Sequence, residues 1–379
     1  MKERSKIKVL VVDDSSFLRR TLPGILEMDS EISVVGTAEN GKVAIEKAKK
    51  LKPDVITLDI IMPVMDGLTA LKHIMREIPT PVLIISSTTY DGSRQTMEAL
   101  SLGAVDYITK PSGPVSLDID KIQSELIQKI KTAFSAKIKI VASVNVTSSK
   151  FKKIISDIET GKKSVLLPKR FDLKPQTDVE LVAIAASTGG PAALQVLLRD
   201  FPENFPAGLV IVQHITTGFS QALADRLNSI SPLKIKLCTD FEWIRPGQAL
   251  LSPAGKHMRI RNVNGKIYAM PDPEPSKALH RPSADVLFSS IAKKCPSKTC
   301  AVIMTGMGDD GAKGIKKIKD KGGITIAQDE SSSVIFGMPK VAIEMGGIDI
   351  VAPLENLSQE IAGVICRESF GNSMGKDKR

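Results

Sequence analysis

The stretch IKVLVVDD, residues 7–14, decides the fold class of the first third of this 379-residue chain. Apart from Lys8 it is apolar until it ends in two acids, which is typical of a strand buried on both faces. The next stretch, SSFLRRTLPGILEMD, carries its apolar residues at helical spacing. A buried strand that runs straight into an amphipathic helix indicates a parallel α/β sheet.

The same alternation continues along the N-terminal part of the chain. Five apolar runs of strand length alternate with five amphipathic segments, the last of them DIDKIQSELIQKIKTAF. This pattern predicts a parallel sheet that is covered by helices on both faces. Right-handed crossovers then place the carboxyl end of every strand at one edge, which is where ligands bind in such sheets.

Polar residues follow the predicted strands at this edge. They are Asp13, Asp14, Asp59, Ser86 and Lys110. A single aspartate at a strand end is usually a cap or a turn residue. Three carboxylates at one edge, however, repel each other unless a cation lies among them, and oxygen ligands suit Mg²⁺. The set therefore predicts phosphoryl transfer, with the central Asp59 as nucleophile and Asp13 and Asp14 on the metal.

Residues 7 to about 125 resemble a response-regulator receiver domain, since VVDDS, LDIIMPVMDG, ISS and DYITKP occur in the order of that family. The resemblance implies a flavodoxin-like fold that serves as a control module. It also implies these roles: phospho-acceptor for Asp59, Mg²⁺ ligands for Asp13 and Asp14, switch hydroxyl for Ser86, phosphate contact for Lys110 and aromatic switch for Tyr107.

The net charge of +10 is concentrated in one segment. Residues 137–176 contain ten Lys and Arg residues against three acids, mixed with Ser, Thr, Gly and two prolines. Such a composition does not bury a core, so we predict a linker over 126–178 between domains at 5–125 and 179–370. Phosphate binding by this segment is the alternative, but it lacks the aromatic interleaving of a single-strand binder.

The chain lacks the signals of secretion and of membrane insertion. No stretch reaches the roughly 18 to 20 apolar residues of a membrane span. The first residues lack the apolar region and the cleavage site of a secretory signal, so we expect a cytoplasmic protein. The four cysteines are not at zinc-binding spacing and are expected to be free thiols.

A second block begins at VELVAIAASTGGPAALQVLLRDF, where an apolar strand precedes the turn STGGP and a helix. Glycines before a helix suit a bound phosphate, although the G-x-G-x-x-G spacing is missing. Ser187 at a strand-to-helix turn suits an exposed nucleophile, although Ala185 replaces the first glycine of G-x-S-x-G. A helix N-cap is the commonest role of such a serine. The turn alone does not decide among the three.

The next strands favour the nucleophile. The strand AGLVIVQH ends in His214, and Asp309 and Asp310 follow the strand in TCAVIMTGMGDDG. If this block is also a parallel α/β sheet, a serine, a histidine and an aspartate share one edge, which favours nucleophilic catalysis with His214 as the base. His280, in HRPSAD, opens a helix and could line the site, but the sequence shows no partner for it.

Residues 179 to about 366 resemble the chemotaxis protein-glutamate methylesterases (CheB family), through AASTGGP, VQH, SPAGKHM, HRPSADVLF and MTGMGDDGAKG. The resemblance implies that Ser187 is the nucleophile, His214 the base and Asp310 the acid that orients it, with the amide of Met307 in the oxyanion hole. Asp309 occupies a position that need not be acidic. The expected fold class is thus α/β, with two doubly wound parallel-sheet domains, the second a Rossmann-like hydrolytic domain.

The reaction implied by the resemblance is hydrolysis of γ-glutamyl methyl esters on methyl-accepting chemotaxis receptors. Deamidation of receptor glutamines would follow the same path, without a cofactor at the esterase site. The expected partners are those receptors and a chemotaxis histidine kinase that phosphorylates Asp59, with Mg²⁺ in the receiver. We expect a monomer that neither binds nucleic acid nor inserts into the membrane.

Two further hypotheses concern control and the alternative function. The predicted esterase block has its own nucleophile, base and acid, so we expect the unphosphorylated receiver to block it and phosphorylation to release it. A response regulator with a DNA-binding output is the alternative, since it would explain the basic charge. That output needs a recognition helix, whereas the second block shows apolar strands with glycine-rich turns.

Overall fold

The computed structural model describes residues 6–110, 119–136, 177–272 and 278–366. The basic segment on which the predicted linker rests lies outside the described residues. The others form an N-terminal unit (6–110 and 119–136) and a C-terminal unit (177–272 and 278–366). Each unit contains a parallel sheet with helices, so the predicted fold class is confirmed.

The sheet of the N-terminal unit has five parallel strands in the order β2-β1-β3-β4-β5. The strands are β1 (Ile7–Val12), β2 (Ile32–Ala38), β3 (Val55–Asp59), β4 (Val82–Ser86) and β5 (Asp106–Thr109). The helices are α1 (Ser16–Leu26), α2 (Gly41–Leu51), α3 (Gly67–Glu77), α4 (Tyr90–Ser101) and α5 (Ile119–Ser135). Helix α5 continues beyond residue 125, and its Leu126 and Ile130 are buried in the core of this unit.

The main sheet of the C-terminal unit has seven parallel strands in the order β15-β14-β13-β6-β7-β10-β8. These strands are β6 (Leu181–Ala186), β7 (Gly208–Gln213), β8 (Lys234–Leu237), β10 (Gln248–Leu251), β13 (Thr299–Ile303), β14 (Ile324–Gln328) and β15 (Ile350–Ala352). The helices are α6 (Gly190–Arg199), α7 (Ser220–Ile230), α8 (Ala284–Lys294), α9 (Ala312–Lys319), α10 (Met338–Glu344) and α11 (Leu357–Ile365).

A small antiparallel sheet interrupts this alternation. It consists of β9 (Glu242–Trp243), β11 (His257–Val263) and β12 (Lys266–Asp272), in the order β11-β12-β9. The strand and helix alternation of the sequence does not predict this sheet. Helix α8 follows it and returns the chain to the main sheet through β13.

The strand order of the main sheet positions the candidate catalytic residues. Strand β6 lies between β7 and β13, and the chain extends the sheet to one side through β7 and to the other through β13. The edge at such a switch in strand order is where open α/β sheets bind ligands. Ala186 of β6 pairs with Gln213 of β7, so Ser187 and His214 leave the sheet at the same level.

The four cysteines are free, and three of them are buried. Of the helices in the described residues, none is both long enough and apolar enough to cross a membrane.

Candidate active site

Ser187 lies in the turn between β6 and α6. Its amide donates to the carbonyl of Thr305 at 3.0 Å, and its own carbonyl accepts from the amide of Gly190 at 2.7 Å. The helix N-cap is Gly189, whose φ of +77° lies in the left-handed region that glycine adopts readily. Ser187 is therefore not the N-cap, and its hydroxyl is available for another partner.

That partner is His214, at the end of β7. The Nδ1 atom of His214 lies 3.1 Å from Ser187 Oγ, and its Nε2 atom lies 2.7 Å from Asp310 Oδ2. The side chains of His214 and Asp310 are largely buried, with 9% and 13% of their surface exposed. The structure thus joins the three predicted residues in one chain of hydrogen bonds from hydroxyl to carboxylate.

The partners of His214 assign the proton on its ring. A carboxylate only accepts hydrogen bonds, so Nε2 carries the ring proton and donates a hydrogen bond to Asp310. Nδ1 is then left as the acceptor for the hydroxyl proton of Ser187. The serine-protease template uses the two nitrogens in the opposite way. The distances between partners, rather than the nitrogen used, decide whether the proton can transfer.

Asp310 is held at the N-terminus of α8. Its carboxylate accepts the amides of Ala284 at 2.7 Å and Asp285 at 3.1 Å, and the hydroxyl of Ser283 at 2.8 Å. Burial alone would raise the pKa of Asp310, but the hydrogen bonds from His214 and from these amides outweigh it and lower the pKa to about 2. Asp310 is therefore a fixed negative charge at neutral pH. Asp309 is exposed and makes no such contacts within the described residues.

The loop after β13 passes directly over Ser187. A Cβ atom on Gly306 would lie 2.7 Å from Ser187 Cβ, so only glycine allows this approach. Met307 follows in the loop, and its amide is not engaged by another backbone group in the part of the chain that the structure describes. This amide therefore has no backbone partner among the described residues, and it follows directly after the glycine that approaches Ser187.

Two residues contact the triad in ways that the sequence did not show: Gln213, which was not singled out, and His280, which was expected to line the site and does so. Gln213 is 2% exposed, and its Nε2 donates to the carbonyls of Ser187 at 2.9 Å and His214 at 3.0 Å. The ring of His280 stacks on that of His214, with centroids 4.1 Å apart and 21° between the planes. The position of Gln213 beside His214 in VQH was the available signal for the first. Nothing in the sequence shows the stacking.

The acids of the N-terminal unit gather at the corresponding edge of its own sheet. One carboxylate oxygen from each of Asp13, Asp14 and Asp59 lies within 4.8 Å of the other two. Lys110 Nζ lies 2.9 Å from Asp59 Oδ2 and 3.2 Å from Asp13 Oδ2. Burial raises the pKa of Asp59 to about 6, against the hydrogen bond from Lys110. This set of oxygen ligands fits a hard cation such as Mg²⁺.

The two predicted switch residues, Ser86 and Tyr107, contact different parts of the molecule. Ser86 Oγ accepts from Thr96 Oγ1 at 2.7 Å and donates to the carbonyl of Gly92 at 3.2 Å, both in α4. Tyr107 is 4% exposed, and its ring lies 4.3 Å from that of Phe219 in the C-terminal unit. Burial raises the pKa of Tyr107 to about 12, so its phenol stays protonated at neutral pH.

A cavity of about 690 Å³ contains the triad and lies between the two units. The N-terminal unit supplies six of its lining residues: Asp106, Tyr107, Glu125, Gln128, Lys129 and Thr132. Thr132 Oγ1 of α5 lies 3.0 Å from Met307 Sδ, so α5 packs against the loop that covers Ser187. The N-terminal unit therefore forms one wall of the candidate active site.

Two hydrogen bonds join the units beside the triad. Thr188 Oγ1 donates to Asp106 Oδ2 at 2.9 Å, one residue after the candidate nucleophile. The amide of Thr216 donates to the phenol oxygen of Tyr107 at 3.1 Å, two residues after the candidate base. Strand β5 of the N-terminal unit thus contacts the chain on both sides of the site.

Comparisons with protein families match both units. Residues 182–361 match the CheB methylesterase family, and residues 9–120 match the response regulator receiver domain family. A protein-glutamate methylesterase/protein-glutamine glutaminase of Halalkalibacterium halodurans is 43% identical over 94% of this chain and 98% of the relative.

Similar proteins also occur in an archaeon and among solved structures. A protein of the same name from Archaeoglobus fulgidus is 43% identical over 94% of this chain and 97% of the relative. The crystal structure of the Thermotoga maritima CheB methylesterase catalytic domain is 40% identical. It covers 49% of this chain and 99% of that domain, with a TM-score of 0.48.

Proposed function

The chain belongs to the CheB methylesterase family of protein-glutamate methylesterases and glutaminases with a receiver domain, and from this premise we propose that it is a serine-type hydrolase. Its substrates would be γ-glutamyl methyl esters and glutamine side chains of methyl-accepting chemotaxis receptors. The observation that carries the proposal is the hydrogen-bonded chain Ser187–His214–Asp310 at the edge of a parallel sheet.

The first half-reaction forms an acyl-enzyme. Ser187 Oγ attacks the ester carbonyl carbon while its proton moves to His214 Nδ1, and Asp310 stabilises the imidazolium that results. The carbonyl oxygen becomes an oxyanion, which the amide of Met307 would bind. The carbon–oxygen bond to methoxide then breaks, and His214 returns the proton so that methanol leaves.

The second half-reaction regenerates the enzyme. Water attacks the acyl carbon and gives its proton to His214 Nδ1, and the bond between the carbonyl carbon and Ser187 Oγ breaks. The proton returns to Ser187, and the product is a glutamate side chain. With a glutamine substrate, ammonia leaves in place of methanol.

The test is methanol release from a methylated receptor, with and without a small-molecule phosphodonor. We expect one methanol per ester hydrolysed, a covalent intermediate on Ser187, and a faster reaction when phosphodonor is present. Hydrolysis without any intermediate on Ser187 would contradict the serine mechanism.

For the N-terminal unit we propose phosphorylation of Asp59 by a chemotaxis histidine kinase. Asp13, Asp14 and Asp59 would hold Mg²⁺, whose charge would offset that of the phosphoryl oxygens. Lys110 already lies within 3.2 Å of two of these carboxylates and would contact the phosphoryl group. We keep the predicted order of a receiver at 5–125, a linker at 126–178 and an esterase at 179–370, with one change at the first boundary. Helix α5 (Ile119–Ser135) packs into the core of the N-terminal unit, so we place the end of the receiver after this helix and the start of the linker beyond it.

We further propose that the unphosphorylated receiver inhibits the esterase. Six receiver residues line the cavity of the triad and would obstruct a receptor helix that approaches Ser187. Phosphorylation replaces the single carboxylate charge of Asp59 with a phosphoryl group that carries about two negative charges, in a pocket that Ser86 also lines. Ser86 is bonded to Thr96 of α4, and Ser93 of the same helix donates to the carbonyl of Gly218 in the esterase at 3.0 Å. A shift of α4 would therefore loosen the contact between the domains.

The family also decides between the two functions considered from the sequence. The C-terminal unit matches a methylesterase family rather than a DNA-binding output, so the DNA-binding alternative is not supported. We propose that the enzyme acts as a monomer in the cytoplasm, where it would meet the cytoplasmic parts of transmembrane receptors.

A further inference from the structure

His280 contacts the catalytic base without belonging to the triad. It lies in the segment before α8, and its ring covers one face of His214, 4.1 Å between centroids and 21° between planes. Within the described residues, no hydrogen bond joins His280 to Ser187 or to Asp310, so it does not replace the base or the orienting acid.

The restraints on the ring of His214 change during the reaction. In the free enzyme the ring is held from both ends, by Ser187 at Nδ1 and by Asp310 at Nε2. Once Ser187 is acylated, its Oγ is an ester oxygen that has no proton to donate. The imidazole has then lost the partner at Nδ1 just when this nitrogen must accept a proton from water.

Asp310 alone does not fix the plane of the imidazole. A single hydrogen bond at Nε2 leaves the ring free to turn about the line that joins Nε2 to the carboxylate. A planar group stacked on the ring face opposes that turn, because tilting the ring breaks the face-to-face contact. His280 is the group in this position.

We propose that His280 is a positioning residue for deacylation, which keeps the imidazole of His214 aimed at the hydrolytic water while Ser187 is esterified. This rests on the proposed serine mechanism. The effect is steric and comes from the flat ring, so phenylalanine should replace His280 and alanine should not.

The charge state of His280 is compatible with this role. Burial lowers the pKa of His280, and the neighbouring His214 lowers it further. A neutral ring does not repel the imidazolium that forms on His214. The other charged side chains around this cavity are Asp106, Glu125 and Lys129 from the receiver and Arg281, Asp285, Asp309, Asp310 and Lys313 from the esterase.

The experiment compares the two half-reactions in the full-length protein with phosphodonor present. The substrates are methylated receptor and 4-nitrophenyl acetate, which acetylates a reactive serine with release of 4-nitrophenol. For His280→Ala we expect an initial burst of 4-nitrophenol close to one per enzyme and roughly a 10- to 100-fold slower steady state. The acetylated Ser187 should accumulate and be visible by mass spectrometry.

Two variants control the result. His280→Phe keeps a planar ring and should turn over like the wild type without accumulation of acyl-enzyme. His73→Ala removes a partly exposed histidine from α3 that does not line the cavity of the triad, and it should also behave like the wild type. Labelling of Ser187 by a fluorophosphonate, which needs only the first half-reaction, should be little changed in His280→Ala.

Three outcomes would overturn the role of His280. They are wild-type turnover by His280→Ala, equal slowing of labelling and of turnover, and failure of His280→Phe to restore deacylation. Failure of the proposed receptor substrate is a separate result. In that case the wild type would release no methanol from receptor, whereas the 4-nitrophenyl acetate burst and the labelling would still rank the variants.

Discussion

Both parallel sheets of this protein place carboxylates at the carboxyl ends of their strands, but the surroundings of those carboxylates differ. In the receiver, three carboxylates and Lys110 meet at the carboxyl ends of the strands, and burial raises the pKa of Asp59 to about 6. In the esterase, one carboxylate at the same kind of edge has its pKa lowered to about 2 by the hydrogen bonds that it accepts. The carboxylates of the receiver lie close together and suit an added cation. The carboxylate of Asp310 has its hydrogen-bond donors supplied by the protein.

The comparison shows that sheet topology supplies convergence and that the local partners supply the chemistry. Both sites follow from parallel strands whose carboxyl ends share an edge. Asp59 has a second carboxylate and a lysine beside it, whereas Asp310 has two amides, a hydroxyl and an imidazole. If this distinction is right, a substitution in the triad should leave phosphorylation of Asp59 intact, and a substitution at Asp59 should leave basal hydrolysis intact.

The largest expected effect comes from the nucleophile. Ser187→Ala should lower hydrolysis by roughly 10⁶-fold, the scale seen when a serine triad loses its nucleophile, while Asp59 still becomes phosphorylated. Asp59→Asn should do the reverse, with the slow unphosphorylated rate of hydrolysis kept and no response to phosphodonor. Methanol release and phosphoprotein analysis check both. Loss of phosphorylation in Ser187→Ala would show that the two edges are not independent.

Two adjacent aspartates give the next effect. Asp310→Asn should lower the turnover rate by roughly 10⁴-fold, because an amide in place of the carboxylate no longer favours the proton on Nε2 and the imidazole turns or changes tautomer. Asp309→Asn is the matched control and should cost far less, since Asp309 is exposed and holds no ring in place. Steady-state kinetics separates them, and the reverse order would assign the orienting role to Asp309.

Removal of divalent metal should affect only the receiver edge. After treatment with a chelator, phosphodonor should no longer accelerate hydrolysis, because Asp13, Asp14 and Asp59 would lack the cation that offsets the phosphoryl charge. The basal rate should stay the same, since the triad has its own charge partners. Added Mg²⁺ should restore the response. A fall in the basal rate would indicate a metal requirement in the esterase.

The smallest effect tests the contact between the two units with the three tyrosines of the chain. Tyr107→Phe removes the acceptor of the Thr216 amide and should raise the basal rate of the unphosphorylated enzyme by about two- to tenfold, as one hydrogen bond is worth about 0.5–1.5 kcal/mol. Tyr90→Phe removes an exposed contact with Asp225 and should do less. Tyr268 lies in β12, and Tyr268→Phe should leave the basal rate unchanged. Equal rates for all three would contradict inhibition through this contact.

Much of the fold follows from the sequence because its signals are local. Apolar runs such as those that form β1 and β6 reveal strands, and helical spacing reveals the helices that follow them. The residues directly after β6 and β7 can therefore be assigned to a common edge from the strand pattern alone. The small sheet of β9, β11 and β12 was missed, since its short strands interrupt the alternation on which the prediction depended.

The sequence by itself determined the two parallel sheets and the candidate residues at their edges, because strand periodicity and strand ends are encoded in neighbouring residues. Only the tertiary structure decided that β13 and β7 flank β6, which brings Asp310 within 2.7 Å of His214. It also decided that His280 stacks on the base and that Tyr107 of the receiver packs against the esterase. These contacts join residues far apart in the chain, and the packing of whole elements rather than any local pattern brings them together.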